Sequence, residues 1–339
     1  MPLALSGVSV IESGHSPATA FAGRLLRGMG ASVARVGAAA SEFRLDPTLD
    51  AFLNEGKGSA ETIESHIHEA KIWLDSRPVP EILATRQSGR DLVHVAVTPF
   101  GLTGNWSQRA GSGFVAAALG AFLHLCGDSE REPLGNGGYV VEFQTGLFAV
   151  AGAIAGLLHL EATGTGLLVE TSLLECVVAF QERADIAWSH QAVNWRRARR
   201  HEVAHPFTIF KTADGYITLA VGTPRHWSNL CLLIGRPDWA DDPAIMLDRH
   251  ANADLIDSAL VPWLNAHPAG EVVRRCQELF IPCGPVLSPS QVLQDAHLAE
   301  RQFFRQFSAP SGQMLSMPGW PYRTTSGWAV ESQDGVGVG

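Results

Sequence analysis

Apolar runs and helical repeats alternate over the first part of the chain. Val8 to Ile11 is a short apolar run, a GHSP turn follows, and Ala18 to Leu26 repeats apolar residues at helical spacing until Gly28 and Gly30 end it. Val33 to Val36 resumes as a strand, so the opening reads as a β-α-β unit, the building block of a parallel sheet covered by helices. Ile72 to Leu74 is a further short strand, Leu92 to Thr98 (LVHVAVT) is one of the buried sort, and Leu167 to Thr171 continues the series. Helices are predicted over Ala60 to Ala70, from the Pro78-Val79-Pro80 turn to Gln87, over the Ala-rich Phe114 to Cys126, and from Ser172 to Ile186. The loop after LVHVAVT, PFGLTGNW, is punctuated by glycine. A loop leaving the carboxyl end of a parallel strand is where open α/β sheets place ligands, and a plain connecting turn fits the same residues equally well.

The longest apolar stretch is Gly137 to Leu158, GGYVVEFQTGLFAVAGAIAGLL: a paired-glycine turn, one carboxylate at Glu142, then a run without charge or proline. It reads as a core helix whose first turn carries an acid, where a negative side chain favours the helix dipole. The alternative is that Gly137 and Gly138 bring the backbone close to a ligand and present Glu142 to it as a nucleophile or base. Past residue 190 the pattern changes. Basic NWRRARRH (194–201) looks like a linker with a solvated surface, phosphate binding being the minority option. Phe207 to Phe210 and Tyr216 to Val221, joined by KTADG, form a hairpin, and helices follow at Pro224 to Ile234, Asp254 to Asn265, Ala269 to Leu279 and Pro289 to Gln294. The tail from Gly312 looks extended and partly disordered. The expected domains are therefore 1–190, an α/β domain of Rossmann-like type; 191–205, a linker; 206–295, a smaller α+β domain; and 296–339, a C-terminal segment.

Composition narrows the function. At 339 residues, 46% hydrophobic and 17% charged, the chain can bury a sizeable core in two domains. A net charge of -9 and a pI near 5.8 argue against nucleic-acid binding while leaving room for a small anionic ligand at a local basic patch. Five cysteines without a CxxC pair suit a reducing compartment, and the start MPLALSGVSVIESG does not read as a secretory signal, so a cytoplasmic location is expected. The apolar stretch is near the lower limit for a membrane span and is broken by Gly146, Gly152 and Gly156, so no membrane association is expected. The first β-α turn, Glu12 to Pro17, is not a GxGxxG fingerprint, which removes support for a nicotinamide or flavin. No metal is expected.

Seven segments in order, LSGVSVIE, LLRGMGASVARV, LNEGK, DLVHVAVTPFGLTGNW, EFQTGLFAVAGAIAGLLHLEATGTGLLVETSLLE, FTIFKTADGYITLAV and IPCGPVLSPSQVLQDAHLAERQFF, make the chain resemble the class III CoA-transferases, a family that also holds 2-methylacyl-CoA racemases and carnitine-type CoA transfer enzymes. The resemblance implies a Rossmann-like large domain with a smaller α+β domain, an interlocked dimer, and acyl-CoA and a carboxylic acid as substrates, with coenzyme A the only cofactor-like group. In the family an aspartate attacks the acyl-CoA thioester to give a mixed anhydride on the enzyme. The matching position here is Glu142, a carboxylate one methylene longer. The resemblance also matches Phe100 and Gly101 to the loop that passes the CoA chain, with backbone N–H groups as oxyanion donors, and Arg109 to a basic residue that meets CoA phosphates. Asn54 and Lys57 persist from a phosphate-binding stretch in which Glu55 and Gly58 replace two arginines. For Arg109 and Lys57 a solvated surface charge is the alternative. Where the racemase branch carries a His-Asp pair, this chain has Ser112 and Gly113, and His15 is the local alternative base. Two other functions stay open: a catalytically silent subunit of a heteromeric CoA-transferase, and an acyl-CoA racemase, isomerase or dehydratase.

Overall fold

A computed structural model describes residues 3–37, 46–85, 91–197, 205–308 and 312–322. The chain divides into two compact units, one of 1–126, 134–195 and 297–339, the other of 127–133 and 196–296.

The first unit begins β1 (Ser9–Gly14), α1 (Pro17–Gly28), β2 (Ser32–Val36), α2 (Pro47–Asn54), β3 (Gly58–Ala60), β4 (Ile72–Ser76), α3 (Val79–Ala84) and β5 (Val93–Thr98). It continues with α4 (Gly113–Leu119), α5 (Phe122–Leu125), α6 (Val140–Thr163), β6 (Leu168–Ser172), α7 (Leu173–Phe180) and α8 (Glu182–Gln191). Among the described residues its six strands form one parallel sheet in the order β3-β2-β1-β4-β5-β6. The chain winds outward from β1 to β3, returns to the other side of β1 at β4, and winds outward again. Such a sheet forks at its carboxyl edge between β1 and β4, the place where doubly wound sheets hold ligands. Val10, Ile72, Leu74, Val93 and Val95 are almost or wholly without exposure, as strands covered by helices on both faces require.

Helices α1 and α6 lie against each other. Phe21 and Phe143 stack with ring centroids 4.4 Å apart, and a Cβ on Gly146 would stand 2.7 Å from the Ala18 carbonyl oxygen. By length and composition α6 is apolar enough to cross a membrane, yet Ala149, Ala153 and Gly156 are buried within the unit.

The second unit holds β7 (Phe207–Lys211), β8 (Tyr216–Ala220), α9 (Pro224–Leu233), α10 (Pro243–Met246), α11 (Ala253–Asn265), α12 (Ala269–Glu278), β9 (Cys283–Pro285) and α13 (Pro289–Leu293). Its strands form an antiparallel sheet, β7-β8-β9, over a core that includes Ile217, Leu219, Trp227, Leu230 and Ile256. After α14 (Ala296–Glu300) come β10 (Phe304–Ser308) and β11 (Met314–Pro318), an antiparallel pair. Trp320 beyond them is buried in the first unit's core, and the Arg24 guanidinium lies 4.7 Å from its ring centroid.

Three expectations need correction. Residues 61–70 form turns rather than a helix: Ile63, Ile67 and Ala70 do face the core around Trp73, but through single turns closed by Ile67 N–H to Ile63 O and Ala70 N–H to His66 O. The helix expected over Phe114 to Cys126 breaks at Ala121, whose φ of 64° lies in the left-handed region. The helix expected from Ser172 to Ile186 breaks at Gln181, whose side-chain amide donates to the Gly120 carbonyl. The described part of the tail, 312–322, forms β11 and carries Trp320, while 198–204 of the expected linker and 323–339 of the tail lie outside the described residues.

Candidate active site

A cleft of about 690 Å³ opens at the fork of the sheet. Its walls come from the carboxyl ends of β1 (Ser13, Gly14), β4 (Ser76, Arg77) and β5 (Val97, Thr98), and from Glu142 near the start of α6. Helix α1 begins at its edge. Ser16 caps that helix by accepting from the Ala18 N–H, while its own N–H donates to Ser76 Oγ at 3.2 Å, so the turn after β1 is tied to the turn after β4.

Beneath the cleft Asp75 is wholly buried and collects five contacts. Ser13 Oγ donates to its Oδ1 at 2.9 Å, the Arg77 N–H and Nε to the same oxygen at 3.1 and 2.9 Å, Arg77 Nη2 to Oδ2 at 2.8 Å, and His94 Nε2 lies 3.1 Å from Oδ2. Burial pushes this carboxyl up, but the hydrogen bonds from His94 and Arg77, with the guanidinium charge, outweigh it and hold it at about 2. Trp73 completes the floor: its Nε1 donates to Ser13 Oγ at 2.8 Å and its ring stacks on His94 at 4.2 Å. The result is a rigid, charge-balanced base under a partly open pocket.

Glu142 is the carboxylate of α6 that reaches the cleft. It stands in the first turn of a helix whose N-cap, Tyr139, makes no side-chain cap bond. Its Oε1 accepts the Gly113 N–H at 3.0 Å, and Gly113 is buried. Gly137 and Gly138 precede it as exposed residues, Gly138 with a φ of 68°, and set up the turn into Tyr139, which lines the cleft. His15 and Ser112 line the same cleft.

The remaining expected site residues are placed differently. The loop after β5 contributes Pro99 and Gly111 to the cleft, while Phe100 and Gly101 are not among its lining. The Gly101 N–H donates to Thr98 Oγ1 at 2.9 Å and the Leu102 N–H to Glu170 Oε1 at 2.5 Å, so those two donors already have acceptors within the fold. Arg109 is exposed beside them, its guanidinium 4.4 Å from the Trp106 ring centroid, and Trp106 meets Phe100 edge to face at 5.3 Å. Lys57 and Asn54, expected at a phosphate, face inward instead. The Lys57 side chain has no exposure and gives its ammonium to Glu12 Oε2 at 2.6 Å, the Ala20 carbonyl at 2.8 Å and Asn54 Oδ1 at 3.0 Å, which accounts for all its donors. Asn54 Nδ2 donates to Asp50 at 2.9 Å. In this conformation the pair braces α1, α2 and β1.

Sequence reasoning did not single out Asp75, Ser13, Ser76 or Arg77. The signal was the stretch Asp75-Ser-Arg-Pro directly after a buried strand, at the edge of a parallel sheet where chemistry collects. Among the described residues no group of three or more His, Cys, Asp or Glu side chains is placed to hold a metal.

Comparison with known proteins adds a family to this geometry. The model of CoA-transferase family III matches residues 83–333. Succinyl-CoA:glutarate CoA-transferase of Mus musculus is 28% identical over 236 residues, 67% of this chain and 53% of the mouse enzyme, so the match spans little more than half of that relative. The succinyl-CoA–L-malate CoA-transferase alpha subunit of Chloroflexus aurantiacus is 25% identical over 89% of this chain and 78% of its own length. Among solved structures, Rv3272 from Mycobacterium tuberculosis superposes with a TM-score of 0.81 at 24% identity, covering 97% of this chain and 95% of that one. A CAIB/BAIF family protein from Brucella suis gives 0.77 at 21% identity, with 97% and 94% covered.

Proposed function

Because this chain belongs to CoA-transferase family III, we propose that it transfers CoA between carboxylic acids, with Glu142 as the nucleophile. The observation that carries this reading is the position of Glu142: in the cleft at the fork of the sheet, with one carboxylate oxygen held by a backbone N–H and the other not so held. The relatives support it, since the mouse and Chloroflexus proteins are named for CoA transfer from succinyl-CoA to a second carboxylic acid.

In this reading Glu142 Oε2 attacks the thioester carbonyl carbon, the C–S bond breaks, and CoA leaves as its thiolate while an acyl-glutamyl anhydride forms. The thiolate then attacks the glutamyl carbonyl, releasing the donor acid and leaving a glutamyl-CoA thioester. The acceptor carboxylate attacks that thioester, and return of CoA to the acceptor's acyl carbon frees Glu142. Every step exchanges one acyl bond for another, so no proton or electron is left over. The turn from Gly137 to Tyr139 and the tied turns after β1 and β4 fix the entrance. The test is to incubate the protein with succinyl-CoA, quench with hydroxylamine or borohydride, and map the adduct by mass spectrometry. Modification at Glu142 is the expected result; turnover with Glu142 unmodified sinks the mechanism.

A second reading, proton transfer at the carbon next to the thioester carbonyl, is favoured by one observation: His15 and Glu142 line the same cleft. Exchange of the substrate α-proton with deuterated solvent supports it, and its absence during turnover counts against it.

The same proposal includes pairing with a second chain, either another copy or a homologous subunit. Phe114, Leu147, Phe180 and Trp188, large apolar side chains of the first unit, are each more than half exposed and are available to such a partner. The Chloroflexus relatives are named as alpha and beta subunits, which supports the heteromeric form. Turnover by the purified single chain contradicts a silent subunit.

A further inference from the structure

Glu142 is held by a residue whose main contribution is the side chain it lacks. A Cβ built on Gly113 would fall on the Glu142 carboxyl group, inside van der Waals contact with its Cδ and both of its oxygens. The space the carboxylate occupies is therefore the space that any other residue at 113 would fill. The Gly113 N–H then donates to Oε1 at 3.0 Å, so the same residue that makes room also sets the orientation. Gly113 is buried, and it stands directly after Ser112, whose hydroxyl accepts from the Val115 N–H and fixes the turn into α4. The contact joins residues 29 positions apart, from the starts of two different helices.

We propose that Gly113 is the positioning residue for Glu142 and that the two form one unit, a longer carboxylate matched to a missing side chain. This rests on the reading of Glu142 as nucleophile. A glutamate carboxylate reaches one methylene farther than an aspartate's, and the absent Cβ at 113 is what lets that extra length end at a backbone donor. The N–H on Oε1 leaves Oε2 as the attacking oxygen and restricts the rotation of the carboxyl group about its last bond.

The clash that a Cβ would create is with the end of a flexible side chain, not with backbone. Gly113→Ala is therefore expected to leave the unfolding midpoint nearly unchanged while swinging the carboxylate off its donor. A displacement of this kind costs on the order of 100-fold in rate. Acylation of residue 142 by succinyl-CoA, followed by hydroxylamine trapping and mass spectrometry, is the first readout. Glu142→Asp alone is expected to lose acylation because the shorter carboxylate no longer reaches the N–H. Gly113→Ala combined with Glu142→Asp is expected to lose little more than the poorer single variant, since each change removes the same contact between the carboxylate and its donor, and contacting residues give such non-additive cycles. Losses that simply multiply, or wild-type acylation in Gly113→Ala, overturn the proposal.

A second readout does not depend on turnover. In protein labelled with 15N-glycine, the Gly113 amide resonance is expected to move as the Glu142 carboxyl titrates, and to stay still in Glu142→Gln. A Gly113 amide that ignores this titration overturns the positioning claim even if residue 142 is acylated. A titrating amide with turnover and no adduct at 142 keeps the geometry and removes the nucleophile.

Discussion

Asp75 meets Ser13, Arg77 and His94 and has no exposure to solvent, so its charge is a property of the fold. Its carboxyl titrates at about 2 in the folded chain, against an ordinary value of 3.8. A depressed folded value means that the stabilisation is complete above the ordinary value and is lost as pH falls through about 2. The difference corresponds to about 2 kcal/mol. Urea unfolding at a series of pH values is expected to show the wild type losing about that much more than Asp75→Asn between pH 5 and pH 2. Parallel curves for the two proteins would remove Asp75 from its role as the charged base of the cleft. Lys57 shows the same logic from the other side: burial pulls its ammonium down and Glu12 pulls it back up, which is the behaviour of a brace within the fold. A lysine and an asparagine three residues apart read alike in sequence whether they face a phosphate or a neighbouring acid. Only the packing of α1 over them decides.

At the scale of elements, α1 and α6 matter because both begin at the cleft and lie against each other through small residues. Gly146→Ala places a methyl group 2.7 Å from the Ala18 carbonyl, a backbone atom that cannot turn aside. The helices must separate, which costs about 1–3 kcal/mol as overpacking does. A lower denaturation midpoint together with reduced CoA transfer is expected from Gly146→Ala, in contrast to Gly113→Ala, whose clash is with a mobile carboxylate. An unchanged midpoint would mean that the helices tolerate more separation than their contact suggests. Most strands of the sheet were legible because Val10-Ile11 and Leu92 to Val97, interrupted only by His94, are almost wholly apolar, whereas Gly58–Ala60 carries no such run. The turns at 61–70 were not, because Ile63 and Ile67 satisfy a helical spacing that single turns satisfy equally well. The break at Ala121 left no mark in the sequence, since an alanine with positive φ is held there by its surroundings.

For the whole molecule, the division into two units, each with its own core, follows the change from a parallel sheet to an antiparallel one. The proposed pairing concerns the apolar side chains left exposed on the first unit. Light scattering on the purified chain is expected to give twice 36.4 kDa at micromolar concentration, and dilution is expected to leave that mass unchanged if the pairing is interlocked. A mass of 36.4 kDa at all concentrations would exclude a homodimer and leave the homologous subunit as the partner to test.

Most strands of the parallel sheet and the hairpin of β7 and β8 were present in the letters, because periodicity acts locally, while Glu142 became the preferred nucleophile only through the family resemblance. The family was present too, because ordered segments survive where single residues change. What only the tertiary structure decided is which residues meet. Gly113 and Glu142 are 29 positions apart, Ser13 and Asp75 are 62 apart, and Lys57 turns inward to an acid 45 positions before it. Those contacts depend on how the sheet forks and how closely α1 and α6 approach, and a linear pattern carries no distance between elements. The missing side chain at Gly113 gains its meaning only beside the carboxylate that occupies its place.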